Sequence, residues 1–148
     1  MSFLLHPDPL LKRIAEPVDF KKTTREDRVK IVRDMNNALN GADWGMKLGL
    51  AAPQIGINKR VAIVRGNVMF NPSFTPSKAP TNLITEGCYS VPGRSFSVER
   101  SPSIWAEWTN IDGRPFKDKL NGLQAIVFQH EVDHLNGLCC ADVGKEIK

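Results

Sequence analysis

The chain has 148 residues, of which 20 are Lys or Arg and 16 are Asp or Glu, for a net charge of +4. This length predicts a single domain over residues 1–148, large enough to bury a substantial core. No apolar run approaches the roughly 20 residues that span a bilayer, and the first residues lack the features of a signal peptide. We therefore expect a cytoplasmic protein with no membrane contact. Many basic residues fall early in the chain, but Asp19, Glu26, Asp27 and Asp34 interrupt them, which favours a solvated helix face over a nucleic-acid-binding stripe.

A first helix is predicted over residues 24–40. Thr23 and Glu26 have the spacing of a capping box, in which each side chain binds a backbone N–H of the other residue. Met35 lies on the apolar face of this helix, and Gly41 is placed to end it.

Runs of β-branched and aromatic residues predict a series of short strands after that helix. These strands are expected over residues 60–64, 68–70, 83–88, 95–99 and 103–109 and near Phe116. The prolines at positions 72, 76 and 80 predict a loop after the second strand. Residues 49–56 are too rich in Gly and Pro for a regular helix. The order of elements predicts an α+β fold, with antiparallel or mixed sheets around a buried C-terminal helix.

That last helix carries the most specific motif in the chain, His130-Glu131-Val132-Asp133-His134. Asn121 is placed to cap the start of the helix, and Gly137 to end it. Histidines four residues apart project from the same helix face and can share one metal ion. Glu131 can then reach a water bound to that metal. The alternative is a pair of core histidines satisfied by hydrogen bonds.

Two further segments carry side chains that are suited to a functional site. Cys88, next to Gly87 at the end of a predicted strand, could present its sulfur to the two histidines, or could be a small buried hydrophobic residue. Gln54 could supply a side-chain N–H donor to a site, or could cap a local turn. Three cysteines are too few for a disulfide framework, so a free thiolate ligand is possible.

These three segments resemble the motifs of the peptide deformylase family, and they occur in the family's order. They are Gly49-Leu50-Ala51-Ala52-Pro53-Gln54, Glu86-Gly87-Cys88-Tyr89-Ser90, and Gln129 to Gly137 around the paired histidines. The resemblance covers nearly the whole chain. It implies an enzyme that removes the N-formyl group from the N-terminal formyl-methionine of nascent polypeptides and releases formate.

The resemblance also implies roles for individual residues. The metal ligands would be Cys88, His130 and His134. The ion would be ferrous iron in the cell, with zinc, nickel or cobalt as substitutes, which suits one thiolate and two imidazoles. Glu131 would carry the proton from water to the leaving amine, as a general base and acid. Gln54, through its side chain, and Tyr89, through its backbone N–H, would stabilise charge on the formyl oxygen.

A substrate-binding pocket follows from the same resemblance. The methionine side chain would enter an apolar pocket formed by Leu48, Ile84, Leu123, Ile126 and Val127. The substrate backbone would add as a strand beside Gly49 and Gly87. Plain core packing is the alternative for the pocket residues. Asp133 could either orient a histidine or form a structural salt bridge.

Two features differ from the family's usual pattern. Lys47 stands where the first motif usually begins with another glycine, so access along that edge could differ. Longer bacterial members continue into a further helix that helps them dock on the ribosome, whereas only residues 138–148 follow here; docking through such a helix is not expected. The short form is similar to those carried by bacteriophages. We expect a monomer that acts on formyl-Met nascent peptides in a bacterial or phage-infected cytosol.

Two other functions fit parts of the sequence. The spacing His130-Glu131-x-x-His134-x-x-Gly137-x-x-Cys140 follows that of metzincin zinc endopeptidases, with Cys140 in the place of the third ligand. A metal-stabilised peptide-binding module without activity is the second alternative. The presence of Glu131 and Gln54 argues against such a module, because a purely structural site needs neither.

Overall fold

A computed structural model describes residues 3–42 and 48–148 of the chain, so Lys47 lies outside the described residues. The α-helices are α1 (Arg25–Asn40), α2 (Gly122–Leu135) and α3 (Cys140–Val143). The strands are β1 (Gly49–Ala51), β2 (Val61–Val64), β3 (Asn67–Pro76), β4 (Asn82–Glu86), β5 (Ser95–Arg100), β6 (Ser103–Thr109), β7 (Pro115–Asn121) and β8 (Lys145–Ile147).

The strands form two antiparallel sheets. The larger sheet has the order β1-β2-β3-β6-β7, and the smaller has the order β4-β5-β8. Helix α2 packs across the larger sheet and contacts all five of its strands. The predicted α+β fold with a buried C-terminal motif helix is confirmed. Among the described helices, none has the length and apolarity needed to cross a bilayer.

Helix α2 is buried because it is apolar on nearly every side, and Phe128 and Leu135 are fully inaccessible. Asn121 is the N-cap residue, as predicted, but its side chain makes no capping hydrogen bond. Strand β7 runs directly into the helix, and Gly122 makes the turn with a φ of 60°. At the other end, the Arg60 guanidinium donates to the carbonyl oxygen of Leu135 at 2.9 Å.

Helix α1 follows the prediction closely, but its capping box lies one residue later than expected. The Thr24 hydroxyl accepts from the Asp27 N–H at 3.1 Å, and the Asp27 carboxylate accepts from the Thr24 N–H at 2.8 Å. Thr23 does not fill this role, because its hydroxyl donates to the carbonyl oxygen of Asp19 in the preceding turn. Met35 is fully buried on the inner face, as predicted.

Strand β3 is much longer than predicted. The expected loop at Pro72 is wrong, because the strand continues to Pro76 after a register shift between Phe70 and Ser73. Asn71 adopts a φ of 51° at this bulge. A bulge removes the need for a ladder N–H at one position, and this is how the strand accommodates a proline. Helix α3 and strand β8 were not predicted.

Candidate metal centre

Three ligating side chains converge where the smaller sheet meets α2. Cys88 lies two residues after the end of β4, while His130 and His134 lie one helical turn apart on α2. Their ligand atoms all lie within 4.8 Å of one another. Sγ of Cys88 is 3.2 Å from Nε2 of His134. Metal bonds of about 2.3 Å to sulfur and about 2.0–2.1 Å to nitrogen, at a tetrahedral angle, place two such atoms about 3.5 Å apart. The arrangement therefore suits a shared ion.

The sulfur of Cys88 is surrounded by groups that favour its thiolate form. The Ser90 backbone N–H and the Gln54 side-chain amide both donate to Sγ, each at 3.4 Å. Burial alone would raise the pKa of the thiol, but the imidazoles of His134 and His130 lower the pKa well below its ordinary value. A thiolate is the form that binds a metal.

His130 is oriented by a buried carboxylate. Nδ1 of His130 is 2.9 Å from Oε1 of Glu86, and donation of its proton leaves the Nε2 lone pair available as a ligand. Glu86 is held in turn by Arg100, through two hydrogen bonds of 2.7 and 2.8 Å. Arg100 also donates to Asp133 at 2.5 Å. Of the two roles considered for Asp133, the structure shows the salt bridge, and Glu86 is the residue that contacts a histidine.

Glu131 is only 3% exposed and has an unusual environment. Its Oε1 atom is fully buried and has no hydrogen-bond partner among the described residues. Burial raises the pKa of this carboxyl group to about 7. A buried acceptor in this state needs a partner such as a water or a substrate, and a carboxyl group that titrates near neutrality suits proton transfer.

Gly49 makes room for that carboxylate. A Cβ atom at position 49 would lie 2.5 Å from Oε2 of Glu131 and 2.9 Å from Cγ1 of Val127. Both are far shorter than any normal contact, so only glycine fits beside Glu131 in this conformation.

The two predicted oxyanion donors lie at the same site. Gln54 is almost fully buried, and its Nε2 group donates to Cys88 and, at 3.2 Å, to the Ser90 hydroxyl. Its Oε1 accepts the Ala51 N–H at 2.9 Å, so Gln54 also fixes the turn after β1. The turn-fixing interpretation of this glutamine is confirmed, whereas its role as a donor to the formyl oxygen stays a prediction. Tyr89 lies on the wall of the adjoining cavity. Its ring stacks on that of Phe3, with 4.9 Å between the ring centroids.

A cavity of about 300 Å³ opens beside Cys88 and His130. All seven residues predicted for substrate binding line it: Leu48, Gly49, Ile84, Gly87, Leu123, Ile126 and Val127. Glu131 and His130 form part of the same wall. Leu123 is 41% exposed, so it is not part of the packed core. The role of these residues in substrate binding stays a prediction.

Comparisons with known proteins agree with this geometry. The family model for polypeptide deformylase matches residues 1–148. The chain belongs to the peptide deformylase family. It is 33% identical to the peptide deformylase of Pseudomonas aeruginosa over 156 residues, which cover 100% of this chain and 89% of that protein.

Solved structures of peptide deformylases have the same fold. A probable peptide deformylase from Synechococcus phage S-SSM7 is 36% identical, with a TM-score of 0.85 over 97% of this chain and 99% of that chain. A class I type b peptide deformylase from Acinetobacter baumannii, bound to Met-Ala-Ser, is 28% identical, with a TM-score of 0.87 over 97% of both chains.

The geometry and the family assignment both disfavour the endopeptidase. In the described residues, the sulfur that joins His130 and His134 is that of Cys88, and Cys140 is not in the group. Cys140 is instead fully buried in an apolar cluster with Phe96 and Val98.

Sequence reasoning missed the residues that support the ligands. Glu86 and Ser90 stood in a motif but were given no role, and Arg100 was not considered. The signal available for Glu86 was its position in β4, two residues before Cys88, which places it near the same histidines. Arg100 pairs with Asn82 on the neighbouring strand, and only the strand register reveals that its side chain reaches Glu86.

Proposed function

We propose that this peptide deformylase hydrolyses the N-terminal formyl-methionine amide of nascent polypeptides, with a divalent metal ion held by Cys88, His130 and His134. The observation that carries the proposal is the unpartnered, buried Oε1 of Glu131 at the wall of the cavity beside this ligand group. When bound, the metal ion polarises a carbonyl oxygen and makes water more acidic. The donor set of one thiolate and two imidazoles fits such an ion.

Glu131 moves the proton in this proposal. Hydrolysis joins the oxygen of water to the formyl carbon and breaks the bond between that carbon and the α-nitrogen. One proton of the water must reach the leaving nitrogen, and Glu131 accepts it and then delivers it. Gly49 supports this role because it leaves the carboxylate room to face the cavity.

Gln54 and Tyr89 stabilise the charge that develops on the formyl oxygen. The Gln54 amide is preorganised, since its oxygen is fixed by the Ala51 N–H and its nitrogen points to the Cys88 sulfur. A fixed donor loses little free energy in reorganisation when charge appears. The Tyr89 backbone N–H is the proposed second donor, since Tyr89 lines the same cavity.

The substrate binds as an added strand between the two sheets. Strands β1 and β4 each lie at the end of a sheet, and neither has a second partner strand among the described residues. Gly49 begins β1, and Gly87 follows β4, so both strands present backbone groups next to the cavity. The methionine side chain occupies the apolar part of the cavity, between Ile84 on β4 and Leu123, Ile126 and Val127 on α2.

The finer parts of the proposal concern the metal and the cellular context. Ferrous iron is the native ion, with zinc, nickel or cobalt as substitutes, because thiolate and imidazole suit borderline divalent metals. Residues 1–148 form one catalytic domain that acts as a monomer in a bacterial or phage-infected cytoplasm. No nucleic-acid partner forms part of the proposed function.

The decisive experiment measures formate released from formyl-Met-Ala peptides by the iron-loaded protein without oxygen. The Glu131→Gln variant should keep its metal and lose activity by a factor on the order of 10²–10⁴. Glu16→Gln is the matched control, because Glu16 forms an exposed pair with Lys59 far from the cavity. Full activity in Glu131→Gln would remove the proposed proton carrier. No formate from the fully loaded protein would favour a binding module.

A further inference from the structure

A second group of metal-ligating side chains lies outside the catalytic site. It consists of His6, Cys139 and Asp142, whose ligand atoms all lie within 4.8 Å of one another. Sγ of Cys139 is 3.6 Å from Nδ1 of His6. This distance is close to the separation of about 3.5 Å expected for a sulfur and a nitrogen on one tetrahedral ion.

Backbone hydrogen bonds hold all three residues in place. The His6 N–H donates to the carbonyl oxygen of Ser90 at 2.8 Å. The Cys139 N–H donates to Oδ2 of Asp142 at 2.9 Å, and the Asp142 N–H returns a bond of 2.9 Å to the carbonyl oxygen of Cys139. Cys139 is buried whereas Asp142 is exposed. The cluster therefore has a closed side at the sulfur and an open side toward solvent.

We propose that His6, Cys139 and Asp142 form a second metal site, which takes a thiophilic divalent cation of the zinc type. One thiolate, one imidazole and one carboxylate are a donor set that favours zinc over hard cations such as magnesium. Three protein ligands leave a fourth position for water on the exposed side. Binding takes the thiolate form of Cys139, so the thiol proton is released to solvent.

Lys12 is the group that such a cation must replace. Its ammonium lies 3.2 Å from Oδ1 of Asp142 and neutralises that carboxylate in the metal-free protein. The Lys12 side chain is 50% exposed and the Asp142 side chain 22%, so the pair is open to solvent and contributes little stability. A doubly charged ion with two further ligands can therefore displace the ammonium.

The site connects parts of the chain that are distant in sequence. His6 and Cys139 are 133 residues apart. Cys139 is the N-cap residue of α3, and the His6 N–H binds the carbonyl oxygen of Ser90 in the loop that contains Cys88. A cation that joins them closes a very long loop, and this stabilises the folded state. The inference concerns metal content and stability and does not depend on the formate-releasing activity.

The test uses the iron-loaded, full-length protein without oxygen, titrated with Zn²⁺ and freed of loose metal by gel filtration. The sum of bound iron and zinc should be two ions per chain, whether or not zinc exchanges with iron. In His6→Ala and in Cys139→Ala the sum should fall to one, with formate release retained. Cys140→Ala is the matched control and should keep two, since Cys140 is not in the cluster. A sum of one in the unaltered protein, or of two in both variants, overturns the proposal.

Lys12→Met provides a second test. Its expected result is tighter zinc binding, which misfolding cannot produce. Removal of the competing ammonium should tighten zinc binding at the second site several-fold, as measured by competition with a chelator. It should also increase the rise in melting temperature caused by excess Zn²⁺, relative to the unaltered protein. An unchanged affinity in Lys12→Met would exclude Asp142 as a ligand and overturn the site as proposed.

Discussion

Helices α1 and α2 reach their positions by different means. Helix α1 has a capping box formed by Thr24 and Asp27, an ion pair between Lys30 and Asp34, and one apolar face. Helix α2 has no side-chain cap at its start and is apolar on most sides, and its polar groups depend on partners from other elements. The comparison shows that local sequence specifies α1 whereas tertiary contacts specify α2. Substitutions around α1 should therefore affect stability alone, and those around α2 should affect the site.

The largest effect is expected at Gly49. Gly49→Ala places a Cβ atom on the carboxylate of Glu131 and should lower the rate of formate release by about as much as loss of that base, on the order of 10²–10⁴. Gly41→Ala, after α1, is the matched control, because its nearest new contact would be an ordinary 3.4 Å. Equal activity of the two variants would show that Glu131 tolerates displacement.

The next largest effect concerns the buried ion pairs that Arg100 forms with Glu86 and Asp133. Arg100→Met leaves Glu86 and Asp133 without their shared partner, and this should cost about 3–5 kcal/mol of unfolding free energy. The exposed pair of Lys59 and Glu16 offers the control, since Lys59→Met should cost less than about 1 kcal/mol. Urea unfolding of the metal-free proteins measures both. Similar losses would mean that burial does not distinguish these pairs.

A smaller effect is expected when Glu86, the carboxylate that contacts His130, loses its charge. Glu86→Gln keeps the shape of the side chain but weakens its hydrogen bond to Nδ1 of His130. Metal affinity should fall about 10- to 100-fold, as measured by chelator competition. Glu146→Gln, which weakens a surface pair with Arg94, should leave the affinity unchanged. Loss of metal in both variants would indicate a general change in the fold.

The smallest effect belongs to α1. Thr24→Ala removes the cap and should lower the unfolding free energy by about 1 kcal/mol, with metal content and activity unchanged. The exposed Thr81→Ala should be neutral. Reduced metal binding in Thr24→Ala would contradict the separation between the two helices.

The sequence predicted best where structure depends on near neighbours. The extent of α1 and the helical type of the segment around His130 and His134 follow from spacing along one element. The meeting of Cys88 with the two histidines was implied by the family resemblance, because spacing alone left Cys88 open. Prediction of the capping box was one residue in error, because Thr23 and Thr24 are both good caps and only the preceding turn decides between them.

The features that the sequence did not predict depend on contacts between strands, which the spacing of residues along the chain does not encode. The bulge that carries β3 past Pro72 is fixed by pairing with β6. The support of Glu86 by Arg100 requires the register of β4 on β5. Strand β8 pairs with β5 although all three of its residues are exposed, so it lacks the alternating pattern by which strands are found.

The close packing of Gly137 on residues 12–15 bears on the order in which the site can form. A Cβ atom at position 137 would lie 2.5 Å from the carbonyl oxygen of Lys12, and the Ala15 N–H donates to the carbonyl oxygen of Leu135. During synthesis, residues 12–15 must wait until more than a hundred further residues have been made before this contact can exist. Such distant contacts form slowly because of the entropy lost in loop closure. The helix that carries His130 and His134 is therefore anchored at this end only after residues 135–137 have been made.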